Sequence, residues 1–161
     1  MSERFTYVCS ETRRATAWEE IAPFHDANDT ETWWLDVTDA TKEDVTAISR
    51  SLSLHPLTIE DIILHEPRQK IETFPDYYLI SLRTLSEPDI EMNYGKLPME
   101  GPTMIYILVF SSGTVTFSSG CRHAARVQSR IARLHDRSVL SSDWICYAIM
   151  YVPFNISGSD M

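Results

Sequence analysis

Apolar and polar positions form blocks along this chain, and their period changes from block to block. FTYVCS (5–10) reads as a short strand, and WWLDV (33–37) as a buried one, aromatic at its start and β-branched at its end. DYYLISLRTL (76–85) alternates as a strand does. MIYILVF (104–110), SSGT and then VTFSS predict a β-hairpin around Ser112-Gly113. Elsewhere the period lengthens to that of a helix. Thr41 opens one, with Asp44 completing a near capping box and Val45, Ile48 and Leu52 on one face. After LSLHP, Pro56 suits the first turn of a second helix, about 57–65, with Leu57, Ile62, Ile63 and Leu64 as anchors. His55 is expected to cap or pack there, and Pro67 ends the helix. Residues 122–137 are amphipathic, with an arginine stripe from Arg122 to Arg137 opposite Val127, Ile131 and Leu134. LSSDWICYAIM (140–150) starts a further helix, capped by Ser142 or Asp143. Residues 11–32, polar and interrupted by Pro23, read as a loop with one helical turn around Ala17–Ile21. Residues 86–102, with three prolines, read as a surface loop.

The order is strand, strand, helix, helix, strand, hairpin, helix, helix. It predicts an α/β domain, a mixed β-sheet flanked by helices. The core is expected from the sheet and the helices at 41–54 and 122–137, and the fold is expected to form without metal.

Composition narrows the function. A chain of 161 residues, 43% hydrophobic and 23% charged, makes one ordinary globular domain. The net charge of −9 is concentrated in residues 1–66, with 14 Asp/Glu against 5 Lys/Arg. Such a surface repels nucleic acid and attracts cations or basic partners. No aromatic residue interleaves with the arginine stripe, so no nucleic-acid site is expected there. No apolar run is long enough to span a bilayer, so the chain is not expected to insert into a membrane. The N-terminus lacks a signal-peptide core, which places the chain in a reducing, cytosolic compartment. Cys9, Cys121 and Cys146 are odd in number and far apart, which argues against a zinc site or disulfides and for buried or half-buried thiols. GxSxG, HExxH and Walker motifs are missing, and Cys121 and His123 have no assignable acid partner, so no enzyme is expected.

The acidic pair Glu60-Asp61 remains. Local rules place it in the first turn of the second helix, where the macrodipole favours negative charge and a structural role suffices. Its neighbourhood says more. Trp34-Leu35-Asp36-Val37, a helix, His55-Pro56-Leu57 with Glu60-Asp61-Ile62, Lys70 with Glu72, and Tyr77-Tyr78 follow one another in an order that resembles the N-terminal cytoplasmic domain of CorA-type magnesium transporters. SSDWICYA is most similar to the fungal plasma-membrane branch, the aluminium-resistance magnesium transporters. The resemblance covers roughly residues 33–149. Where the family has R-P-K-x-E, this chain has Arg68-Gln69-Lys70-Ile71-Glu72, with the proline displaced to position 67.

The resemblance implies an α/β/α cytoplasmic domain that assembles as a pentameric funnel above a membrane pore. It implies regulatory Mg²⁺ binding between subunits at acidic residues, here Asp61 with Glu60 as a nearby candidate. It divides the chain into a lead-in (1–32), the CorA-like domain (33–150) and an atypical tail (151–161). The family's stalk, two transmembrane helices and Gly-Met-Asn pore signature have no counterpart in the sequence, and Tyr151 falls near the family's partner acid. The expectation is a regulatory domain that binds Mg²⁺ weakly, is not transport-competent alone, and is monomeric alone, while the full transporter is a pentamer. The reading from a different class is a free-standing soluble interaction domain with an acidic face.

Overall fold

The computed structural model describes residues 3–28, 30–84 and 103–119, together with Ser141 and Ile145. Among them the chain forms β1 (Phe5–Val8), β2 (Thr12–Ala15), α1 (Trp18–Ala27), β3 (Trp33–Thr38), α2 (Lys42–Leu52), α3 (Pro56–Ile63), β4 (Lys70–Thr73), β5 (Tyr77–Thr84), β6 (Thr103–Phe110) and β7 (Gly113–Ser118). The strands make one sheet in the order β2-β1-β3-β7-β6-β5-β4. All neighbours are antiparallel except β3 and β7, whose parallel register runs from Trp33↔Gly113 to Thr38↔Ser118. The sheet is therefore mixed, as the pattern predicts.

Because side chains alternate across a strand, the registers sort residues by face. One row runs Lys70, Ser81, Tyr106, Phe117, Val37, Phe5; the next runs Glu72, Leu79, Leu108, Val115, Leu35, Tyr7. The central members of both rows join Ile21, Val45, Ile48 and Ile62 of the three helices in one apolar core. The opposite face, with Trp34, Asp36, Thr116, Ile107 and Ile80, is buried too. Burial on both faces explains why β3 reads as a continuous rather than alternating run.

Helix α2 begins as predicted. Thr41 Oγ1 accepts from the Asp44 amide at 3.1 Å, and Asp44 Oδ2 accepts from the Thr41 amide at 2.9 Å. Arg4 adds two bonds to the same carboxylate oxygen, at 2.8 and 3.2 Å, tying the lead into β1 to the start of α2.

Residues 11–32 depart from expectation. They contain edge strand β2 and the ten-residue helix α1, with Pro23 inside it. Tertiary anchoring outweighs the proline: Trp18 and Ile21 are buried, and Trp18 Nε1 donates to Ser51 Oγ of α2 at 2.8 Å. Strand β4 is also additional to the elements read from sequence. Cys9 is half-buried, as expected. The helices expected at 122–137 and 140–150, Cys121, Cys146, the loop at 86–102 and the tail lie outside the described residues, apart from buried Ile145, whose amide bonds the Ser141 carbonyl.

Candidate functional site

The acidic pair lies on α3, and both ends of that short helix are fixed. His55 caps it, Nδ1 accepting from the Leu57 amide at 3.1 Å, and Pro56 occupies the first turn. The Tyr77 hydroxyl of β5 meets both the His55 amide, at 2.9 Å, and Thr58 Oγ1, at 2.6 Å. At the other end His65 takes a left-handed φ of 53°, and the Glu66 amide turns back to the Asp61 carbonyl at 2.9 Å. The Tyr106 hydroxyl donates to the Glu66 carbonyl at 2.9 Å, anchoring this turn to β6. Burial first, and then the charges of Asp61 and Glu66, push the Tyr106 hydroxyl up to about 12, so it remains a donor at neutral pH.

This geometry corrects one expectation. Glu60 and Asp61 are not in the first turn of their helix, which holds no acidic residue. With Pro56 as the first helical residue of eight, the pair falls in the second half, where the macrodipole no longer favours negative charge. Asp61 is compensated by a side chain instead.

That side chain comes from β4. Lys70 pairs with Ser81 and Glu72 with Leu79, so both point to the helix-bearing face while Ile71, between them, points to the other. Lys70 Nζ sits 2.7 Å from Asp61 Oδ2 and 2.5 Å from Glu72 Oε1. The three side chains are 16%, 21% and 32% exposed for Asp61, Lys70 and Glu72, which puts them between core and open surface at the sheet edge. Hydrogen bonds from Lys70 to Asp61 and then to Glu72 hold the ammonium above its ordinary range. Ser81, the cross-strand partner of Lys70, is buried, and its hydroxyl has no hydrogen-bond partner among the described residues.

The structure thus separates the two sequence candidates. Asp61 belongs to a cluster; Glu60 is exposed and forms no ion pair among the described residues. Glu72 joins Asp61, a partnership legible only once Lys70-x-Glu72 is seen as a strand with both charges on one face. The donors are hard oxygens, which suit Mg²⁺, an ion that takes one or two carboxylates and keeps several waters. Among the described residues no group of three or more His, Cys, Asp or Glu could hold a metal, so a closed cage is not formed there. No helix among them is long and apolar enough to cross a membrane.

Comparison with known proteins adds a family. Residues 29–152 match the family model described as CorA-like Mg2+ transporter protein. Among curated proteins the chain is 38% identical over 120 residues to Magnesium transporter ALR2 of Saccharomyces cerevisiae, covering 74% of this chain and 13% of that protein. It is 40% identical over 119 residues to a putative metal ion transporter of Schizosaccharomyces pombe, covering 73% and 14%. The chain therefore spans only about a seventh of these relatives. Among solved structures, the full-length CmaX protein superposes with a TM-score of 0.69 at 14% identity, over 96% of this chain and 47% of that one. The soluble domain of CorA from Methanocaldococcus jannaschii does so with a TM-score of 0.58 at 16% identity, over 92% and 55%. At these identities the structural likeness speaks to the fold.

Proposed function

The chain belongs to the CorA-like Mg2+ transporter family, and on that premise we propose that it is the cytoplasmic, Mg²⁺-sensing part of such a transporter, with Asp61 as the sensing carboxylate. The observation that carries this reading is the placement of Asp61. It is a half-buried carboxylate at the edge of the domain, fixed by a helix pinned at both ends and close enough to the surface for a hydrated ion to reach.

The physics of sensing follows from electrostatics. In an oligomer, carboxylates of neighbouring subunits facing one another repel until a divalent ion screens them. Mg²⁺ then favours the arrangement that brings them together, by its differential affinity for the two arrangements. With one or two carboxylates per subunit, an isolated copy binds Mg²⁺ weakly, on the order of millimolar. The chain supplies a regulatory domain; conduction belongs to the membrane part of the parent transporter.

Titration of the ¹⁵N-labelled chain with MgCl₂ tests the reading. Saturable shifts are expected at Asp61 and its neighbours, and Asp61→Asn is expected to abolish them. Shifts that persist unchanged in the variant would count against Asp61.

A further inference from the structure

The cation that Asp61 faces in this fold is Lys70. Its ammonium bridges Asp61 and Glu72, two carboxylates brought together by different elements, α3 and β4. The ammonium sits against Asp61 Oδ2, so a divalent ion that binds through that oxygen must compete with it. Glu72, two residues along the same strand face, offers Lys70 a second partner, so the ammonium can leave Asp61 without losing its counter-ion.

We infer that Lys70 is a tethered competitor for the divalent cation: it holds Asp61 when Mg²⁺ is scarce, withdraws to Glu72 when Mg²⁺ is plentiful, and thereby sets the concentration at which Asp61 is occupied. This rests on the reading of Asp61 as a Mg²⁺ ligand and adds its regulation. Lys70 is a positioning residue, acting through Asp61. A bare Asp61 would respond to any divalent ion at lower concentration; the lysine raises the threshold by the free energy of the contact it must give up. The reciprocal also holds, since binding linkage is symmetric: Mg²⁺ weakens the Lys70–Asp61 contact by the same factor that Lys70 weakens Mg²⁺ binding.

The experiment is an MgCl₂ titration of the full chain followed by ¹H–¹⁵N spectra, with the Lys70 Nζ resonance observed alongside the backbone. It compares the wild type, Lys70→Met, Lys70→Gln, Lys70→Arg and Lys70→Met combined with Asp61→Asn. Removing the charge with either Met or Gln is expected to tighten Mg²⁺ binding at least about fivefold. Arg, which keeps the charge, is expected to leave it within about twofold of wild type, and the double variant is expected to lose binding. In the wild type, the Lys70 Nζ signal is expected to shift with the same midpoint as Asp61. A folded Lys70→Met or Lys70→Gln chain that binds no tighter, while Asp61→Asn still abolishes binding, overturns the competition and leaves the Asp61 reading standing. Asp61-independent binding throughout overturns both. A purely structural lysine would change the melting temperature and leave the affinity where it was.

Discussion

Gly113 faces the indole of Trp33 across the parallel β3–β7 pair so closely that a Cβ at position 113 would overlap the ring and lie 2.6 Å from the Trp33 carbonyl oxygen. Trp33 is a hub at this end of the sheet. Its Nε1 donates to Ser112 Oγ at 3.2 Å, its ring stacks on Tyr7, and it meets His25 edge-on and Phe110 at a tilt. From Phe110 the aromatic contacts continue through Tyr77 and Phe74 to His55, the cap of α3. The hairpin glycine and the helix bearing Asp61 thus lie at two ends of one packed row.

Gly113→Ala is expected to destabilise the domain by about 1–3 kcal/mol, the range for overpacking a filled interior. The ring must move, because the Trp33 carbonyl is backbone and has little freedom to retreat. Denaturant melts would measure the loss, and near-ultraviolet circular dichroism would report the displaced indole. An alanine variant with wild-type stability and an unchanged tryptophan signal would contradict the packing.

Asp36 is a buried charge with no cation beside it among the described residues. Thr116 Oγ1 accepts from Trp34 Nε1 at 3.0 Å and donates to Asp36 Oδ1 at 2.7 Å, and Thr38 Oγ1 donates to Oδ2 at 3.3 Å. Burial raises the Asp36 carboxyl to about 6, despite these bonds. The folded state therefore holds its proton more tightly than the unfolded chain does. The resulting stabilisation is fully present below the ordinary value of 3.8 and is lost as pH rises through about 6. At neutral pH the ionised, buried group is a liability. Asp36→Asn, whose amide can still accept from Thr116, is expected to raise stability at pH 7 by about 1–3 kcal/mol and to flatten the change between pH 4 and 6. A lower melting temperature for the variant at pH 7 would contradict this.

Asp44 responds to acid with the opposite sign. Burial raises its carboxyl, but the Thr41 amide and Arg4 outweigh that and hold it below the usual range. Its contribution is present above the unfolded value of about 4 and is lost as pH falls through its folded value. Asp44→Ala removes the reciprocal cap of α2 and strands Arg4, an expected cost of about 1–2 kcal/mol at pH 7 that shrinks in stronger acid. Equal melting temperatures for wild type and variant at pH 7 would show that the capping box contributes nothing.

Much of this architecture is written in local pattern. WWLDV, the alternation of β5, the hairpin and the capping box of α2 each appear where short-range rules put them. Local reasoning stops where a tertiary contact overrides it. Pro23 reads as a breaker, yet Trp18 and Ile21 dock α1 firmly enough to carry it. Lys70–Thr73 is too short to announce itself as a strand, and only its pairing with β5 turns Lys70 and Glu72 to the same side. For the same reason Asp61 is visible in sequence as half of an acidic pair, while its partner nine positions later is not. Residue spacing cannot reveal that a side chain of α3 meets one of the edge strand. The family likeness pointed to Asp61; the geometry adds Lys70 and Glu72 and leaves Glu60 outside the cluster.

The sensing role of Asp61 is tested most directly in a full-length transporter carrying this domain, by measuring magnesium uptake as a function of internal Mg²⁺ for wild type and Asp61→Asn. The account predicts that the variant assembles normally and that its uptake is less inhibited, the half-inhibitory Mg²⁺ concentration moving upward. Unaltered inhibition by Mg²⁺ in a correctly assembled Asp61→Asn transporter would contradict it and reduce the Asp61–Lys70 pair to a structural contact at the sheet edge.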